Sequence, residues 1–179
     1  MPNWCDNKIV ITGPEQKIQA LWDRASNDST VFGLLNAMVE QPDFSQEEEE
    51  QNNSFMPIWY NWRLCHWGCK WDIHIDDGLD IQDLGDGRKA IYGFVQTPWA
   101  PPLEAFSEYA FDNEDVVAEV AYVELGNSFA GFLRLEDGMV ADQSEIDGIP
   151  EVAHLPQWFQ SVFPEMVEEL EDMEVEEDE

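Results

Sequence analysis

The sequence predicts an α+β fold of the ferredoxin-like kind: a split βαβ antiparallel sheet with two helices on one face, extended by a C-terminal β-hairpin and a short C-terminal helix. Three observations predict it. Strand and helix patterns follow one another as β-α-(loop)-β-β-α-β. The strand segments are short, β-branched and bounded by glycine or proline. The chain has 179 residues, 44% of them hydrophobic, with 8 Trp and 10 Phe, which suits one domain with a sizeable core.

Residues 8–12 (KIVIT) read as the first strand, and Gly13-Pro14 places a proline where a helix starts without losing a hydrogen bond. Ile18, Leu21, Trp22 and Ala25 then fall at i, i+3, i+4 and i+7, gathering one apolar stripe on helix one, which Asn27-Asp28-Ser29 ends. Residues 31–39 read as a second short helix. Residues 43–54, with Glu47 to Glu50 in a row, carry too much like charge to pack and are expected as a mobile acidic loop.

An aromatic-dense stretch, 55–71, leads into 71–76, where Trp71, Ile73 and Ile75 alternate with Asp72, His74 and Asp76; this is expected as a half-buried strand. Residues 89–96 (KAIYGFVQ) read as its hairpin partner, with a further strand segment near 79–81 in between. Thr97-Pro98-Trp99-Ala100-Pro101-Pro102 stops that strand and opens helix two with Leu103, Phe106 and Ala110. Residues 115–125 and 128–135 form the next pair, with the positive φ of the turn expected at Gly126-Asn127. Asp137-Gly138 turns into 139–141, and 156–163 is a compact apolar helix. We therefore expect one domain over 1–164, and an acidic, disordered tail over 165–179.

The formal net charge is -31, from 39 acids against 8 bases. Ten acids lie in the tail, and without them the charge is still -21. Such a surface repels phosphates and anionic lipid heads over roughly a Debye length of 10 Å, which argues against direct nucleic-acid or membrane binding and for a basic partner protein. The beginning of the chain has no basic and apolar leader pattern, and three cysteines in a chain of this size suit a reducing compartment, so a cytoplasmic location in a bacterial host is expected.

Chemistry-bearing clusters are few. Cys65, His66 and Cys69 offer zinc-type donors, but at C-x₃-C rather than paired C-x₂-C spacing, and buried cysteines commonly only fill space; no cofactor is called for. Asp76, Asp77, Asp80, Asp83 and Asp86 supply oxygens without the EF-hand order. No phosphate-cradling glycine motif is present, no histidine sits in a nucleophile motif, and no residue is singled out as catalytic. Trp62, Trp67, Lys70, Trp71, Asp72, His74 and Trp99 are candidates for a Trp-rich cleft, since an indole offers a broad face and one donor.

Asn3-Trp4-Cys5-Asp6-Asn7, Ile11-Thr12-Gly13, Trp59-Tyr60-Asn61-Trp62-Arg63, Trp67-Gly68-Cys69-Lys70-Trp71-Asp72 and Thr97-Pro98-Trp99-Ala100-Pro101-Pro102, in that order, resemble the YubB-like family of phage and plasmid proteins, Api-like proteins of uncharacterised function. The resemblance spans most of 1–135 and implies a ferredoxin-like domain and a mobile-element origin. It carries no catalytic residues across. The chain departs from the family pattern at Cys69, where threonine is usual, and in its acidic loop and tail.

Two readings follow. In the first, the carboxylates imitate the phosphate charge of DNA and occupy the basic groove of a nucleic-acid-binding host defence protein, of restriction or CRISPR type, with Glu104, Glu108, Asp112, Glu114, Asp115, Glu119, Glu124, Glu136, Asp137 and Asp142 as the face. In the second, the Trp-rich cleft serves a small metal- or ligand-binding domain or enzyme. A phage accessory or assembly role, docking through the tail, is the third possibility.

Overall fold

The computed structural model describes residues 3–27, 33–52 and 54–177, with the side chains of residues 51, 169 and 172–177 outside that description. Strand β1 (Trp4–Pro14) runs into α1 (Glu15–Ala25), and short helices α2 (Leu34–Met38), α3 (Gln46–Gln51) and α4 (Ile58–His66) fill the connection to β2 (Leu79–Gly85). Then come β3 (Arg88–Pro98), α5 (Leu103–Asp112), β4 (Val117–Glu124), β5 (Phe129–Glu136), β6 (Met139–Asp147), α6 (Gln157–Val162) and α7 (Pro164–Glu177). The six strands form one sheet in the order β2-β3-β1-β4-β5-β6, antiparallel throughout. The first four in that order are the ferredoxin-like split βαβ arrangement, and β5 and β6 extend it beyond β4.

Side chains alternate across the pleat, so each strand divides its residues between two faces. On one face Ile9 and Ile11 of β1, Ile91 and Val95 of β3 and Val120 of β4 meet Ile18 and Leu21 of α1 and Phe106 and Ala110 of α5 in the main core. The opposite face is covered over β4, β5 and the end of β6: Ala121, Val123 and Ala130 are buried beneath Phe159 and Phe163, with Phe132, Ile146, Trp158, Met166, Val167 and Leu170 packed around them. Over β1 and β3 that face stays open, presenting Trp4, Asp6 and Lys8 beside Phe94 and Gln96.

Several local expectations need correction. Residues 71–76 form no strand; a 3-10 turn (Ile75–Asp77) ends the segment, and β3 pairs instead with β2. Alternation survives there because Ile73 is buried while Asp72 turns to backbone amides. The acidic stretch contains helix α3, which begins at a reciprocal capping box between Ser45 and Glu48. That hydrogen bonding holds the Glu48 carboxyl below its ordinary range. The tail continues as α7 to Glu177, anchored by Met166, Val167 and Leu170. In the β4–β5 turn the positive φ (57°) falls on Ser128, while Glu124 accepts from the amides of Gly126 (2.8 Å) and Asn127 (2.7 Å). Residues 28–32, where helix one was expected to end and the second short helix to begin, lie outside the described residues. Among the described residues no helix is long and apolar enough to cross a membrane.

Candidate binding sites: an aromatic cleft and an acidic corner

The open half of the sheet carries a cleft of about 710 Å³, lined by Trp4, Asp6 and Asn7 of β1, Phe94, Val95, Gln96 and Pro98 of β3, and Arg63, Trp71, Asp72, His74 and Asp77 from the connection between α1 and β2. That size is within the range of small-molecule pockets. Trp4 and Trp71 lie with ring centroids 5.7 Å apart at 46°, and Trp4, Trp71 and Phe94 are 42%, 40% and 56% exposed.

The cleft's floor is fixed by an internal network of hydrogen bonds and ring contacts. The Asn7 amide, fully buried, donates to the Cys5 carbonyl (2.8 Å) and the Thr97 hydroxyl (2.8 Å), and Thr97 donates onward to the Ala100 carbonyl (2.7 Å). Asp72 accepts from the amides of Gly33 (2.7 Å), Leu35 (2.7 Å), Asn36 (3.2 Å) and Ile73 (2.8 Å), tying the start of α2 to the cleft wall. Burial nevertheless pushes the Asp72 carboxyl above its ordinary range. Gly33 has to be glycine here, since a Cβ would overlap the Ile73 carbonyl. The Arg63 guanidinium is stacked between Trp59 (5.0 Å) and Trp67 (4.7 Å), and donates to Gln41 (2.5 Å) and the Lys70 carbonyl (3.2 Å).

Two lining carboxylates are only partly engaged. Asp6 accepts from the Gln96 amide (2.8 Å) through Oδ1, and Asp77 from the His74 backbone amide (2.8 Å) through Oδ2. Each is thereby oriented with a second oxygen to offer.

Of the cleft candidates named from sequence, Trp71, Asp72 and His74 line it. Trp67 is fully buried, donating to the Val39 carbonyl (2.9 Å); Trp62 stacks on His66 (4.5 Å); Lys70 lies beside Trp71 and Tyr60; Trp99, at φ 71°, belongs to the turn after β3. Sequence reasoning missed Trp4, Asp6, Phe94 and Gln96: the first strand, expected at 8–12, begins at Trp4, and it takes the antiparallel register of β1 with β3 to set all four on one face. The metal-type trio is not brought together: Cys65 is exposed, Cys69 is buried and donates to the Trp71 carbonyl (3.2 Å), and His66 pairs with Glu108 (2.7 Å). Burial pushes the Cys5 and Cys69 thiols far up, so both stay protonated. Among the described residues no group of three or more His, Cys, Asp or Glu side chains is placed to hold a metal ion.

The ten acids proposed as one face divide into separate groups. Glu124 is buried in its turn. Glu119 and Glu136 pair with Arg134 on the outer sheet face, where Asp142 stands opposite Arg134 in register. Asp115 pairs with Lys17, which lowers its carboxyl pKa, and Glu108 pairs with His66. Glu104 is exposed, with its carboxyl beside Gly68, where partial desolvation raises its pKa. What stays together is a corner where the β5–β6 turn abuts the end of α5: a Cβ on Gly138 would touch Glu114 and the Phe111 carbonyl. There Asp112, Glu114 and Asp137 are exposed and make no salt bridge among the described residues, and Phe111 and Met139 are 72% and 68% exposed.

The architecture defines an extended ferredoxin-like α+β protein whose sheet is covered on one face and half of the other. Among solved structures it is similar to the crystal structure of a protein api92 from Yersinia pseudotuberculosis, with the family model DUF1281, at a TM-score of 0.50 and 11% identity, over 84% of this chain and 100% of that one. At that identity the likeness is one of fold. No family model matches the chain, and no curated protein matches it.

Proposed function

We propose that this chain is an acidic binding protein of a phage or plasmid, YubB-like in family, that acts in the cytoplasm of a bacterial host by engaging a basic, nucleic-acid-binding protein of the host's defence as a mimic of DNA charge. The observation that carries this reading is the corner at the end of α5: two exposed apolar side chains, Phe111 and Met139, beside the carboxylates Asp112, Glu114 and Asp137, which make no salt bridge among the described residues, on a chain of net charge -31. Apolar anchors with a charged rim are how a protein interface obtains both affinity and selection of partner. The paired acids Glu119, Glu136, Asp115 and Glu108 contribute to the long-range field and less to contact, because each already faces a cation or histidine.

The test is affinity purification of tagged protein from bacterial lysate at low and high salt, then titration of the captured protein with duplex DNA as competitor. The expected result is salt-sensitive binding displaced by DNA and weakened about tenfold or more by D112N/E114Q/D137N. Binding insensitive to salt and DNA would overturn the mimic reading. A second reading, a small-molecule-binding domain, is favoured by the 710 Å³ cleft and its three exposed rings.

A further inference from the structure

We infer that the cleft on the open half of the sheet is a socket for a basic side chain, an arginine guanidinium first, presented by the protein partner; this rests on the proposed reading of an acidic protein that meets a basic one. Three lines support it.

The walls are aromatic faces, Trp4, Trp71 and Phe94, which attract a cation through the negative face of the ring. The charged groups of the lining are Asp6, Asp72 and Asp77 against Arg63, and His74 is also present. Arg63 is held between two indoles and Asp72 is spent on four amides, so the carboxylate oxygens left for an occupant belong to Asp6 and Asp77. A planar guanidinium stacks on a ring while its fork of donors reaches carboxylates, and unlike a neutral ring it brings the positive charge that both the aromatic faces and the carboxylates attract.

The chain also displays this chemistry internally. Arg63 lies 5.0 and 4.7 Å from the Trp59 and Trp67 rings, and Lys70 and Lys8 lie 5.1 and 5.5 Å from the Trp71 and Phe94 rings. Neither lysine lines the cleft, and both are outweighed at a distance by the charge of the whole molecule, which concentrates cations rather than anions around it.

The experiment is a titration of the full chain, followed by the indole N–H signals in two-dimensional NMR, with W4F and W71F to assign them. The probes are N-acetyl-arginine methylamide and its uncharged isostere N-acetyl-citrulline methylamide. The expected result is saturable movement of the Trp4 and Trp71 signals with the arginine probe, about tenfold or more weaker with citrulline and with D6N/D77N, and unchanged in D112N/E114Q/D137N. Equal binding of the two probes, tighter binding of adenosine monophosphate than of the arginine probe, or non-saturating shifts spread equally over all the indole signals would overturn it. The two proposals fail separately. An arginine-saturable cleft in a protein that retains no basic partner sinks the corner and leaves the socket; a partner bound equally by wild type and D6N/D77N does the reverse.

Discussion

One face of the sheet has two fates. Over β4 and β5 it is covered by α6 and α7; over β1 and β3 it stands open. The covered half offers small or apolar residues, Ala121, Val123, Ala130 and Phe132, onto which Phe159 and Phe163 close. The open half offers Trp4, Asp6, Lys8, Phe94 and Gln96, where every ring has a charged or amide neighbour. A helix laid over that half would strand those polar groups away from water, whereas over the other it buries mostly carbon, one orphaned indole N–H at Trp158 and, at the margin, the pairing of Arg134 with acids. The difference teaches that strand alternation alone names a face, and that the mixture of residues on it decides whether the chain covers that face itself or leaves it for an occupant.

The sharpest way to break that comparison is to remove one large side chain from each half. Phe159→Ala, at a fully buried position, is expected to cost about 3–5 kcal/mol in denaturant unfolding, and Trp4→Ala less than about 1 kcal/mol. Equal costs would mean that the open half is as structural as the covered one. Next in size, Asp72→Ala should cost about 2 kcal/mol or more, because four amides lose their acceptor at once, and Asp72→Asn should recover part of it.

A smaller effect tests the other layer beneath the covered half. Burial first, then the charge of Glu145 and the proximity of Cys5, push the Tyr122 hydroxyl up from 10.0 to about 12. The folded state therefore holds that proton more tightly than the unfolded chain. Its contribution to stability is fully present below pH 10.0 and declines as pH rises toward about 12. Unfolding followed by circular dichroism across that window should steepen for wild type and flatten for Tyr122→Phe. The smallest change is expected at Trp158, whose buried indole N–H has no partner: Trp158→Phe should alter stability by less than about 1 kcal/mol, since the lost packing offsets relief of the orphaned donor.

Most of the ferredoxin-like order was legible because β1, α1, β3, α5, β4 and β5 each show a period that only one element type satisfies. The segment 71–76 misled for a physical reason: an extended chain alternates whether or not it pairs, and Asp72 finds its partners at Gly33, Leu35 and Asn36, far away in sequence. The Ser45 to Glu48 box is present in the sequence, but the run of like charge points to a loop there instead. The cleft was half legible. Trp71, Asp72 and His74 stood out by composition, whereas Trp4 and Phe94 required the register that sets β1 against β3. The breakup of the ten acids could not be read, since which carboxylate meets Arg134, Lys17 or His66 is decided by tertiary contact.

The Asp72 carboxylate acts as a clasp. By joining 33–36 to 72–73 it closes the base of everything in between; inside that excursion Trp67 and Cys69 also reach the main core and His66 pairs with Glu108, whereas α3 contributes no residue to the core. Once such a ring is shut, doubling its circumference costs only about 0.6 kcal/mol. The segment around α3 is thus a place where this scaffold can accept grafted or exchanged sequence while the six strands keep their register, and variation among such proteins should concentrate around α3 rather than beside the clasp.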